Sequence, residues 1–132
     1  MGKGPNICKI EGCIRTCSRH SKRHTSTFRT ICDVCNSTMR KYGITSVERE
    51  ELLASQNREC KICFTKIDFY SGREVDNPTA RAVVDHCHTT GKVRGILCNR
   101  CNLGLGHFKD SKSALIRAIA YLELIDADMY KP

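Results

Sequence analysis

Apolar positions along the chain come in short pulses separated by polar or turn-forming stretches. From residue 45 to residue 57, Val47, Leu52, Leu53 and Ala54 recur at helical spacing among charged residues. Thr45 and Glu48 form a T-x-x-E capping box, so a helix is predicted over 45–57. Ala82–Asp85 and Val93–Leu97 are short apolar runs flanking the turn Thr89-Thr90-Gly91-Lys92, which predicts a β-hairpin whose second strand is interrupted by Gly95. Cys98 opens a short helix ending near Gly104 or Gly106. Asp110 or Ser111 caps a last helix, where Leu115, Ala118, Ile119, Leu122 and Ile125 make one apolar stripe. That stripe is expected to pack on the core, with a partner helix as the alternative. Upstream, 36–43 reads as a short helix stopped by Gly43. Residues 1–6 read as a loose tail and 64–81 as a variable loop with short strands at most.

These pulses amount to a thin core. With 132 residues, no Trp and 6% aromatics, the chain is one small domain or a small domain with an appended module, and such chains commonly need cross-links. Ten cysteines are the obvious source. Six of them form C-x-x-C pairs, at Cys32/Cys35, Cys60/Cys63 and Cys98/Cys101. The first dozen residues contain no apolar signal-peptide core, and no segment is long and apolar enough to span a membrane. In a cytoplasmic chain such pairs read as zinc ligands rather than disulfides. Cys60, Cys63, Cys98 and Cys101 supply one four-thiolate site; having no open position, it is structural and ties the hairpin to the helix that follows. Cys8, Cys13, Cys32 and Cys35 supply a second, cross-linking a stretch too polar to hold itself together. Cys17, His20 and His24 stand at spacings that allow them to replace one of these ligands. Cys87 reads as a small buried filler, and His107 as a helix-end residue.

Charge adds a direction. Of the net +8, +7 falls in residues 1–43, where nine Lys and Arg face only Glu11 and Asp33. A basic, cysteine-rich unit suits a polyanion, most simply nucleic acid, although a basic face can also serve solubility alone. The expected organisation is a basic zinc module over 1–43, a core over 44–110 and a terminal helix over 111–132.

Between Val83 and Lys109 lies a set of residues suited to metal-assisted phosphodiester hydrolysis. Asp85 offers a carboxylate and Asn102 an amide oxygen to a hard cation such as Mg²⁺ or Mn²⁺, and His86 offers an imidazole as general base. Neighbouring residues on a regular strand point to opposite faces, so Asp85 and His86 can share a site only if the strand ends or bends between them. Asn102 directly follows Cys101, so a zinc ion would hold the helix that presents it. Lys92 and Arg94 on the hairpin, and Arg100 between two zinc ligands, are candidate phosphate contacts.

DHCHTTGKVRGILCNRCN, with CKIC upstream, resembles the phage recombination endonuclease VII family, part of the HNH or His-Me finger (ββα-metal) nucleases. The resemblance covers roughly 50–108. It implies a small α+β zinc-stabilised fold with a ββα-metal nuclease core. It further implies that Asp85 and Asn102 bind the catalytic cation, that His86 is the base and that His88 supports it by orienting the site or touching phosphate. The four cysteines of the second pair of knuckles would bind structural zinc. The segment around Cys8, Cys13, Cys32 and Cys35 resembles, more loosely, a zinc module found ahead of phage HNH domains. One departure is local: the acid that the best-known members carry three positions after the Asn is Leu105 here. The implied activity is a divalent-metal-dependent DNA endonuclease acting in the cytoplasm of a phage-infected host. A homodimer fits cleavage of both strands, and a monomer fits nicking. The competing reading is a non-catalytic zinc-stabilised nucleic-acid-binding protein.

Overall fold

A computed structural model describes residues 7–17, 30–69 and 80–129, with side chains described to residue 124. The element order is α1 (Asp33–Tyr42), α2 (Ser46–Ser55), β1 (Ala82–His86), β2 (Val93–Cys98), α3 (Asn99–His107) and α4 (Lys112–Met129). This is a small α+β fold in which a hairpin and the helix directly after it make a ββα unit. His20, His24 and the loop 70–79 lie outside the described residues.

Local signals set most boundaries. Cys32 caps α1 by accepting the Cys35 N–H on its sulfur, and Gly43, at φ 71°, returns its N–H to Met39. Helix α1 therefore starts earlier than the predicted 36–43, because a zinc-knuckle cysteine doubles as its cap. The capping box of α2 is complete in both directions. Helices α2 and α3 both end on two consecutive left-handed, non-glycine residues, Asn57-Arg58 and Lys109-Asp110. In each pair the second N–H reaches back five residues, Arg58 to Leu53 and Asp110 to Leu105. Such conformations cost about 1 kcal/mol or more per residue, and those closing hydrogen bonds hold them.

Strands β1 and β2 pair antiparallel from Ala82↔Cys98 to Asp85↔Gly95, then slip, so that His86 pairs with Val93 and Arg94 is the extra residue of a β-bulge. The outer edge of β2 is satisfied by a side chain: Gln56 accepts the Ile96 N–H at 2.8 Å and donates to the Ile96 carbonyl at 2.9 Å. Gly95 permits that approach, since a Cβ there would lie 3.1 Å from the Gln56 amide oxygen and 3.2 Å from Lys61 Cδ.

The main core gathers Leu53, Ile67, Ala82, Val84, Ile96 and Leu97 with Cys60 and Cys98; Tyr42, Ile44 and Leu105 pack against it. Among the described residues, a second cluster has only cysteines as its fully buried members: Cys8, Cys13, Cys17, Cys32 and Cys35. Val47 of α2 packs on this cluster, and Ser46, wholly buried, lies 2.8 Å from the Cys35 sulfur. Two features spanning the 43/44 boundary thus tie the N-terminal unit to α2 and the core. The apolar stripe of α4 departs from expectation. Leu115 and Ala118 are half-buried, but Ile119 and Leu122 are exposed, as are Ile116, Tyr121 and Leu124. Helix α4 follows the left-handed turn at 109–110, and the outer part of the stripe, Ile119 and Leu122, lies away from the core; the Ile125 side chain is outside the described residues.

Candidate active site

Next to the bulge, Asp85 and His86 are the two ends of one run of contacts. Asp85, 7% exposed, accepts two hydrogen bonds from Arg94, from Nε at 2.7 Å and from Nη2 at 2.8 Å, one on each carboxylate oxygen. The same Nη2 reaches Asp110 at 3.0 Å. The other oxygen of Asp110 lies 3.6 Å from His88 Nε2. His88 stacks on His86 with ring centroids 5.0 Å apart, and Tyr42 meets His86 edge-on at 5.5 Å. The run is Asp85–Arg94–Asp110–His88–His86. The two carboxylates, led by their hydrogen bonds, push the Arg94 pKa further up, so this guanidinium stays charged.

Beside this run opens a cleft of about 530 Å³ lined by Cys87, His88, Thr89, Arg94, Gly106, Lys109, Asp110 and Lys112. Two lysines, an arginine and a histidine make it suited to an anion. Asn102 is half-buried one residue after Cys101 on α3, a helix that packs on both strands; none of the hydrogen bonds of the run engages it. Lys92 and Arg100 are exposed on the hairpin and on α3. Arg94 is not a free strand-face charge: it is committed to two carboxylates. Cys87 is no buried filler either. It is half-buried and lines the cleft, and hydrogen bonds from Thr90 bring its thiol down to about 7. Asp110, Tyr42, Lys109 and Lys112 were not singled out by the sequence. Asp110 left one trace there, as one of two candidate caps for the last helix. The structure gives that cap to Ser111, whose hydroxyl accepts the Ala114 N–H at 3.2 Å.

Both sets of four thiols assemble. Cys8, Cys13, Cys32 and Cys35 form one cluster and Cys60, Cys63, Cys98 and Cys101 the other, each with its sulfurs within 4.8 Å of one another. Sulfurs at 2.3 Å around a tetrahedral ion lie about 3.8 Å apart. The separations are 3.8 Å for Cys13–Cys32, 3.7 Å for Cys13–Cys35 and 3.7 Å for Cys63–Cys98. The donor sets therefore fit a tetrahedral metal, and the cysteines are free rather than bridged. Backbone N–H groups of Cys32, Cys35 and Cys101 point at the sulfurs of Cys8, Cys32 and Cys98. In each cluster one thiol ionises readily. Burial alone would raise Cys13, but bonds from Arg15 and the neighbouring thiols bring it to about 6; Thr65 brings Cys63 to about 6. Burial pushes Cys32 up to about 12 and raises Cys98 and Cys101. Cys17 is buried beside the first cluster but is not one of its four members. Among the described residues no helix is long and apolar enough to cross a membrane.

The family model for recombination endonuclease VII matches residues 37–124. The chain is 39% identical over 82 residues to the Gene 59 protein of Mycobacterium phage D29. It is 38% identical over 82 residues to the Gene 59 protein of Mycobacterium phage L5. Each match takes in 61% of this chain and 44% of the relative, so the chain spans less than half the length of these curated relatives. A solved ββα-Me type II restriction endonuclease is similar with a TM-score of 0.43 and 27% identity, over 94% of this chain and 69% of that one.

Proposed function

Because the chain belongs to the recombination endonuclease VII family, we propose that it is a divalent-cation-dependent DNA endonuclease that hydrolyses phosphodiester bonds with His86 as the base. The observation that supports the reading is the run of contacts from Asp85 through Arg94, Asp110 and His88 to His86, beside a basic cleft. Asp85 and Asn102 are the residues that would hold Mg²⁺ or Mn²⁺, which supplies charge neutralisation at the phosphate and at the departing 3′ oxygen. A buried carboxylate already matched to a cationic partner is a donor that fits such an ion.

His86 takes the proton of the attacking water on a ring nitrogen. Tyr42 and His88 fix the ring from its edge and its face, which holds that nitrogen in place. His88, Lys92, Arg94 and Arg100 meet phosphate oxygens, and the cleft lysines Lys109 and Lys112 extend that surface. The products are a 5′-phosphate and a 3′-hydroxyl. The thiol clusters hold zinc: Cys60, Cys63, Cys98 and Cys101 lock β2 to α3, and Cys8, Cys13, Cys32 and Cys35 fold the basic module over 1–43 that grips the duplex. The reaction takes place in the host cytoplasm, where thiols stay reduced. The exposed apolar residues of α4 support pairing of two copies when both strands are cut.

Supercoiled and four-way-junction DNA incubated with the zinc-loaded protein, with and without Mg²⁺, tests this. Cleavage should require Mg²⁺ and fall by roughly 10²–10⁴ in His86→Ala, at unchanged zinc content and far-UV spectrum. DNA binding without cleavage by the unaltered protein would leave a zinc-stabilised binding module. Full activity in His86→Ala would remove His86 from the mechanism.

A further inference from the structure

We infer that Arg94 is a resident counter-ion that occupies the Asp85 carboxylate until a divalent cation displaces it, and that Asp110 is the arm that keeps Arg94 at the site afterwards. This rests on the reading that Asp85 binds the cation.

A carboxylate as buried as Asp85 needs a partner, because an unpaired charge in that setting is costly. Arg94 fills both oxygens, at 2.7 and 2.8 Å, with two N–H donors in fork geometry. A cation and this fork compete for the same lone pairs, so the cation enters only as N–H bonds are given up. The bulge is what makes the competition: as the extra residue opposite Asp85 and His86, Arg94 projects into the site instead of alternating away from it.

Released from Asp85, the guanidinium is not lost to solvent. Its Nη2 is already 3.0 Å from Asp110, whose position is fixed by the left-handed turn and by its N–H bond to Leu105. The Arg94 side chain is 38% exposed against 9% for Asp85, and it borders the cleft that also holds Lys109 and Lys112. Pivoting about Asp110 carries its charge from the carboxylate toward the place where a phosphate would lie. The same guanidinium thus neutralises the carboxylate before loading and the substrate after it. Asp110 is a positioning residue in this scheme, acting through Arg94.

The test is Mn²⁺ binding to the zinc-loaded full chain without DNA, by calorimetry and by the electron paramagnetic resonance signal of free Mn²⁺. Arg94→Ala should bind Mn²⁺ about tenfold more tightly than the unaltered protein, and show the larger rise in melting temperature on Mn²⁺ addition. Arg94→Lys, which keeps a charge but cannot fork both oxygens, should shift in the same direction and serves as arbiter if Arg94→Ala does not fold. Asp110→Asn should weaken Mn²⁺ binding in the presence of Arg94 and have no effect in the Arg94→Ala background. Unchanged or weaker Mn²⁺ binding in both Arg94 variants overturns the proposal. An Asp110→Asn effect that persists without Arg94 overturns the role given to Asp110. Asp85→Asn separates the two levels: if it binds Mn²⁺ as the unaltered protein does, the assignment of Asp85 to the cation fails, whatever the Arg94 variants show.

Discussion

Gln56 does for β2 what a third strand would do, offering one acceptor and one donor to the backbone of Ile96, a residue with no exposed surface. Replacing it with Ala leaves the Ile96 N–H without a partner and should cost about 2–3 kcal/mol, read as a shift in the denaturant midpoint of the zinc-loaded protein. Nothing in the sequence marks Gln56 for this, because its partner is forty residues away and the contact exists only once α2 and the hairpin have met. Asp110 and Tyr42 were hidden for the same reason. The residues that were legible, the eight clustered cysteines, owe it to spacing: each knuckle carries its thiols within a few positions of one another. Arg94 was seen, but its partners were not, since the bulge that aims it at Asp85 is a slip in register that composition does not encode.

At the scale of elements, α3 carries the most in the least length: a cap and a thiol from Cys98, a second thiol at Cys101, Asn102, and two glycines. A Cβ added at Gly104 would meet nothing within 4 Å, and the backbone there is not left-handed. Gly104→Ala should therefore stabilise the protein by roughly 0.5–1 kcal/mol through the unfolded state, seen as a higher melting temperature at unchanged zinc stoichiometry. The glycines also misled the placement of the helix end. They suggest a stop at 104 or 106, whereas the helix runs to His107 and is closed by Lys109 and Asp110 in the left-handed region. The complete capping box of α2 was readable because its partners are three residues apart. The period of α4 was readable as well, but a 3.6-residue period states that a face is apolar and not what covers it. Ile119→Glu with Leu122→Glu should leave the thermal midpoint of the isolated chain nearly unchanged, as both positions are exposed, and should shift any dimer to monomer in sedimentation equilibrium.

Over the whole molecule, two small cores are held by sulfur. Among the described residues the N-terminal cluster buries no aliphatic side chain completely, so chelating zinc should unfold it first. Amide hydrogen exchange should show protection lost around α1 and the start of α2 while β1, β2 and Leu53 retain more of theirs. The metal-free form should also respond to pH with a fixed sign. Cys13 and Cys63, brought to about 6 from 9.0, add stability that is fully present above pH 9 and is lost as pH falls through 6. Cys32, at about 12, works the other way: its contribution is present below pH 9 and is lost as pH rises toward 12. Melting temperature in chelator and reductant should therefore climb between pH 6 and 9 and decline above it, while the zinc-loaded protein stays flatter. Of the nine Lys and Arg of residues 1–43, Lys3, Arg19, Lys22, Arg23 and Arg29 lie outside the described residues.

The single extra residue in β2 has a genetic corollary. Removing one codon, that of Arg94, would let the two strands zip without a slip, with Val93 opposite His86, Gly95 opposite Asp85, and every core and cysteine position of the hairpin keeping its neighbour. The outcome would be a regular hairpin that keeps its thiols and loses the guanidinium paired with Asp85 and Asp110. One codon thus separates a hairpin that carries a charge pair at its end from one that leaves the buried carboxylate of Asp85 without its partner.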